Sequence, residues 1–127
     1  MTAYNTQNIF AKIIRGELPC KKVYESEDAI AFHDITPSAA VHVLVIPKGE
    51  YTSFDDFMEG ASQEIAHRFF SQVREIAHKL GLRQSGYRLI TNHGEDACQT
   101  IGHFHVHILG KQALGPLTDK RYMEGGR

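Results

Sequence analysis

The segment "IGHFHVHILG", Ile101 to Gly110, puts a histidine at every second position of an apolar run. Side chains alternate across a β-strand, so Ile101, His103, His105, His107 and Leu109 share one face while Phe104, Val106 and Ile108 share the other. The apolar face belongs to a core, and the histidine face lines something else. Eight histidines scattered at random over 127 positions would give such a triplet roughly 0.03 times, so the pattern is not a chance one.

Working outward, "GYRLITN" (86–92) reads as a second strand, joined to the first by the loop "NHGEDACQT" (92–100). "GPLTDKRYMEGGR" follows as a Gly/Pro-punctuated tail. "AAVHVLVIPK" (39–48) is dominated by β-branched residues and ends at Pro47, which predicts a central strand covered on both faces. Upstream, "KKVYES" and "AIAFHD" predict a hairpin around the polar "SED". Two helices complete the pattern. In "NIFAKIIRGELP", Ile9, Phe10, Ile13 and Ile14 recur at helical spacing until Gly16 and Pro19 stop them. From Ser62 to Leu80, one face carries Ile65, Phe69, Val73, Ile76, Ala77 and Leu80, and Gly81 ends it. The order predicts an α+β fold, an antiparallel sheet with one long and one short helix, over a doubly wound parallel one.

Length and charge narrow the function classes. A chain of 127 residues with 42% hydrophobic residues fills one core and would starve two. Fourteen Lys and Arg against fifteen Asp and Glu leave a charge of −1, so no global field recruits nucleic acid or an anionic membrane, and neither is expected as a partner. The N-terminal stretch interrupts its apolar residues with Asn, Gln, Lys and Arg, unlike a signal peptide, and no run reaches the length of a membrane span. Cys20 and Cys98 are too few for a disulfide scaffold. The expectation is a cytoplasmic protein with reduced thiols.

The chemistry lies in the triad. Adjacent imidazolium charges about 7 Å apart repel by roughly 2 kcal/mol at an effective dielectric near 20, so three cannot be charged together near neutral pH. The cluster is expected to titrate as a coupled set, with neutral rings beside a cationic one. A zinc ion holds nitrogens at about 2.0–2.1 Å, whereas the outer histidines of an extended triad start about 13 Å apart, so a metal would need ligands from elsewhere, such as His42. Glu95 and Asp96 give only weak support to a magnesium site. There is no GxxxxGK[ST] loop and no G-x-S-x-G elbow. A row of imidazoles suits phosphorus: one ring attacks while others donate to oxygens and leaving group. Covalent phosphoryl or nucleotidyl transfer is the best-matched chemistry. His33, His67, His78 and His93 read as satisfied or exposed side chains.

"QTIGHFHVHILG" resembles the signature of the histidine triad (HIT) family. "NIFAKIIRGELPCKKVYESEDAIAFHDITPSAAVHVLVIPK" is similar to the N-terminal half of its Hint branch, and "GYRLITNHGEDACQ" to the strand and loop before the triad. The resemblance covers about 8–111, leaving an N-terminal extension of about 1–7 and a tail of about 112–127 around a single HIT domain. It implies a small α+β protein, a homodimer with its two sheets joined, that hydrolyses purine nucleoside phosphoramidates of the AMP–amine type without a cofactor. By the same resemblance His105 is the nucleophile, His103 and His107 position its ring and the phosphate oxygens, and His42 backs the triad. Asp34 would accept from the ribose hydroxyls, and Ile9, Phe10, Ile13, Phe32 and Ile35 would form the apolar slot for the base. Asn92, Gln99 and Thr100 would contact the phosphate and leaving group, with Thr100 donating to the departing nitrogen.

Two departures stand out. Cys98 replaces a glycine common in Hint relatives, beside the expected phosphate contacts, and the tail lacks the family's tryptophan-containing ending. The alternatives to a phosphoramidase are a dinucleoside polyphosphate hydrolase of the Fhit branch and a non-catalytic nucleotide-binding protein.

Overall fold

The run of β-branched residues from Val41 to Pro47 forms the middle strand of a five-stranded sheet, with His42 to Pro47 all buried. The computed structural model describes residues 3–118. In chain order the elements are α1 (Ile9–Ile14), β1 (Lys22–Glu25), β2 (Ala29–His33), β3 (Val41–Pro47), α2 (Phe54–Gly60), α3 (Gln63–Lys79), β4 (Tyr87–Ile90) and β5 (Val106–Gly110). The strands lie in the order β1-β2-β3-β5-β4, and every pairing is antiparallel. The antiparallel α+β architecture is the expected one.

Alternation along the strands sorts the apolar residues onto two faces. Ala29, Ala31, Val43, Val45, Val106 and Ile108 pack with Phe57, Phe69, Val73 and Ile76 beneath α2 and α3. On the opposite face Ile30, Phe32, Leu44 and Ile46 pack with Phe10 of α1. Phe104 stacks on Phe57 with centroids 4.8 Å apart, so the apolar partner of the histidines is held in the larger core. Ser62 and Leu80 cap α3 at the residues where the sequence pattern begins and ends.

Two elements differ from expectation. Helix α2 is not among the expected elements: its apolar residues Phe54, Phe57 and Met58 cover one turn only, Ser53 accepts from the Asp56 amide, and Asp55 and Asp56 fill its first turn. The final strand starts at Val106, not Ile101. The β3–β5 ladder runs out there: Val45 is the last residue of β3 paired with β5, while β3 keeps its pairing with β2 on the other side as far as Pro47. The Phe104 amide is instead taken by the Tyr51 carbonyl at 2.7 Å.

Residues before α1 are fastened rather than loose, since Arg15 donates to the Thr6 carbonyl at 2.8 Å. Arg88 of β4 donates to the carbonyls of Leu114 and Gly115, tying down the start of the tail. The rest of the tail, from 119 onward, lies outside the described residues. Among the described residues no helix is long and apolar enough to cross a membrane, and both cysteines are free thiols.

Candidate active site

Hydrogen-bond partners fix the proton on each histidine, and the protons assign the roles. The Pro47 carbonyl can only accept, so His103 Nε2, 2.8 Å away, carries the proton, and His103 Nδ1 accepts from the Tyr4 hydroxyl at 2.6 Å. His105 Nδ1 lies 2.7 Å from the His103 carbonyl oxygen and donates to it. That leaves the Nε2 lone pair of His105 bare. The acceptor that the sequence does not reveal is thus the backbone of the first triad histidine.

A second chain of bonds runs behind the triad. The Ser38 amide donates to His42 Nδ1 at 2.9 Å, so His42 carries its proton on Nε2, which donates to His107 Nδ1 at 2.8 Å. The proton of His107 is therefore on Nε2. Pairing of Leu44 with His107 in the β3–β5 ladder sets His42 diagonally beside His107. Asp34 Oδ2 stands 3.4 Å from His42 Nε2, while its Oδ1 accepts the Thr36 amide at 2.8 Å.

Burial decides the charge state. It pushes His103 and His107 down from 6.5 to about 4, with repulsion from neighbouring imidazoles a smaller cause, and it lowers His105 as well. The expectation of a cationic ring within the triad is corrected: His103 and His107 are neutral at pH 7 and burial disfavours charge on His105 as well, because desolvation outweighs the attractions available to a proton there.

A cavity of about 640 Å³ opens at the triad. His105 and His107 line its reactive end together with Asn92, Cys98, Gln99 and Thr100, and Asp34 lies on its wall. Ile9, Phe10, Ile13, Phe32 and Ile35 line the apolar part, joined by Leu18, Pro19 and Leu44, which sequence reasoning passed over. Phe10 and Phe32 also belong to the core, whereas Ile35 is 97% exposed and packs against nothing that would explain it as core. Phe10 meets the His105 ring edge to face at 4.9 Å. A neighbouring cavity of about 790 Å³, lined by Asn5, Gln7, Thr52 and His93, shares Ile9, Gln99, Thr100 and Ile101 with the first.

Hydrogen bonds already made by His103, Gln99 and Asn92 narrow the roles open to them. His42 lies behind the cavity, where a residue that backs the triad is expected; His103 lies there too, with both nitrogens occupied, so it has none to offer a phosphate. The Gln99 amide donates to the carbonyls of Thr52 and Ile101 and accepts from the Gly94 amide, which commits it to holding the loop. Asn92 donates to the Ala97 carbonyl at 2.7 Å. Cys98 has φ +60°, the left-handed region that glycine enters freely, which fits the glycine that the resemblance places there.

Asp34, His42 and His107 each offer a ligand atom within 4.8 Å of the others, a grouping that could hold a metal ion. His42 Nε2 and His107 Nδ1 are spent on one another, however, and a metal taking either would have to break that bond. The donor set fits a hydrogen-bond relay better than a metal centre.

The HIT domain family matches residues 15–114. An uncharacterised HIT-like protein of Azospirillum brasilense is 48% identical over 117 residues, covering 92% of this chain and 96% of its own. The purine nucleoside phosphoramidase of Escherichia coli K12 is 37% identical over 111 residues, 87% of this chain and 92% of its own. Among solved structures, a histidine triad protein from Clostridium difficile superposes with a TM-score of 0.82 at 36% identity, covering 91% of this chain and all of the other. By sequence, fold and triad alike, this chain belongs to the HIT domain family.

Proposed function

We propose that the protein, one of the nucleotide hydrolases and transferases of the HIT family, cleaves the P–N bond of purine nucleoside 5′-phosphoramidates through a nucleotidyl intermediate on His105. The observation that carries this reading is the His105–His103 hydrogen bond, which turns a bare imidazole lone pair toward chemistry inside a cavity of nucleotide size. The similarity to the Escherichia coli phosphoramidase supports the choice of substrate class.

In the first step His105 Nε2 attacks the α-phosphorus, forming an N–P bond as the P–N bond to the amine breaks. The electron pair goes to the departing nitrogen, which takes a proton drawn from solvent. Thr100, which lines both cavities, is placed to relay it. The attack makes the His105 ring cationic, and the His103 carbonyl at Nδ1 stabilises that charge. The neutral Nε2–H of His107 donates to a phosphate oxygen, held in that tautomer by His42 and Ser38. Water then attacks phosphorus, the N–P bond to His105 breaks, and a nucleoside monophosphate leaves. Asp34 accepts from the ribose hydroxyls and the apolar wall around Phe10 and Phe32 receives the base.

No metal enters these steps. We also propose a homodimer, supported by the position of β4 at the sheet edge, through which a second copy would continue the sheet; sedimentation showing only monomer would remove that part. The reaction is tested by offering an adenosine phosphoramidate and diadenosine triphosphate side by side in excess EDTA to the native protein and to His105→Ala. Cleavage of the phosphoramidate alone, lost in His105→Ala, is the expected result. Cleavage of the dinucleotide alone would place the chain with polyphosphate hydrolases, and loss of activity in EDTA would restore a metal.

A further inference from the structure

The segment that carries the His103 carbonyl is not part of the sheet. Strand β5 begins at Val106, so no ladder holds residues 103–105, and their geometry depends on other contacts. Four are built in: the Phe104 amide to the Tyr51 carbonyl, His103 Nε2 to the Pro47 carbonyl, the Tyr4 hydroxyl to His103 Nδ1, and the Thr91 hydroxyl to the His105 carbonyl. The third spans 99 positions of sequence and comes from outside the region that matches the HIT family.

Tyr4 is well suited to the task. Its ring meets His103 edge to face, with centroids 5.6 Å apart at 68°, so the imidazole is gripped by packing as well as by the hydroxyl. Burial raises the Tyr4 pKa, which keeps the hydroxyl a donor. The segment is itself anchored, by Arg15 on the Thr6 carbonyl and by the Asn8 amide on the Asn5 carbonyl. Tyr4 lines neither cavity, although Ala3 and Asn5 line one of them.

We propose that Tyr4 is a positioning residue for the nucleophile: by fixing the His103 ring from its Nδ1 side, it aims the His103 carbonyl at His105 Nδ1 and so orients the attacking Nε2. The inference rests on His105 as nucleophile, and it adds a component supplied by the N-terminal extension.

The test compares native protein with Tyr4→Phe, which keeps the ring contact and removes the donor, and with Tyr4→Leu, which removes both. On an adenosine phosphoramidate, Tyr4→Phe is expected to lower kcat about tenfold with KM within about twofold, tenfold being about 1.4 kcal/mol, the scale of one buried hydrogen bond. Tyr4→Leu is expected to lose at least as much. Nitrogen-15 NMR of the imidazoles should show His103 Nδ1 moving toward an unbonded acceptor and a shift of the His105 Nδ1–H resonance in both variants. Unchanged kcat with unchanged His105 resonances would overturn the proposal, as would a rise in KM alone. If native protein fails to cleave the phosphoramidate, the hydrolase reading falls, and the His105 resonances by themselves decide whether Tyr4 orients that ring.

Discussion

Lowering the pH from 7 to 5 destabilises the folded protein by about 2 kcal/mol through His103 alone. In the unfolded chain a histidine near 6.5 is almost wholly protonated at pH 5, whereas His103, fully buried and held at about 4, is protonated in only about a tenth of folded molecules. Its folded value is depressed, so its contribution is present above about 6.5 and is lost as pH falls toward about 4. The sign has a structural cause, since a proton on Nδ1 would force the Tyr4 hydroxyl from donor to acceptor and place a charge where solvent does not reach. His107, held at about 4 but partly open to the cavity, adds a smaller loss of the same sign. The assay is urea unfolding at half-unit steps from pH 5 to 8 on native protein and on His103→Gln, which keeps hydrogen-bonding capacity without titrating. The native curve should fall by about 2 kcal/mol more than the variant's between pH 7 and pH 5. Parallel curves, or a native protein that gains stability on acidification, would refute the burial argument.

Replacing Cys98 with glycine relieves a left-handed backbone cost of about 1 kcal/mol but frees the unfolded chain by a similar amount, so thermal unfolding should show a change of under about 0.5 kcal/mol; a loss above about 1 kcal/mol would mean the thiol itself is bonded. Phe10→Leu removes volume shared by the smaller core and the cavity wall, and is expected to cost about 1–2 kcal/mol in denaturant unfolding while raising KM severalfold. Gln99→Ala strips the loop of three hydrogen bonds, and hydrogen exchange at the Gly94 amide should accelerate at least about fivefold, one lost bond being about 1 kcal/mol or more.

Much of the fold was legible because strand alternation and helical spacing are local. The alternation from His103 to Leu109 put Phe104, Val106 and Ile108 in the core, where they are found, and the Ser62–Leu80 face matched α3 to its caps. Three things were not local. The true start of β5 depends on where the β3–β5 ladder ends at Val45, and nothing in "IGHFH" records that. Tyr4 reaches the site across most of the chain, so no spacing rule could pair it with His103. The neutrality of His103 and His107 depends on burial, which residue identity along one strand does not report. Helix α2 is a different case: Ser53 followed by Asp56 is a capping signal that the sequence did carry, at the spacing the structure uses. For the site, the resemblance named residues that line the cavity, but it carried no sign that the polar atoms of His103, behind the cavity, and of Gln99, on its wall, are already engaged.

The central claim is that His105 becomes covalently attached to the nucleotide. Acid quenching of a single turnover of an adenosine phosphoramidate, followed by intact-mass and peptide mass spectrometry, tests it directly. The account predicts a transient adduct of one adenylyl group, located on His105 and missing in His105→Ala. Turnover without any adduct at time points spanning the reaction, or an adduct on another residue that persists in His105→Ala, would contradict it.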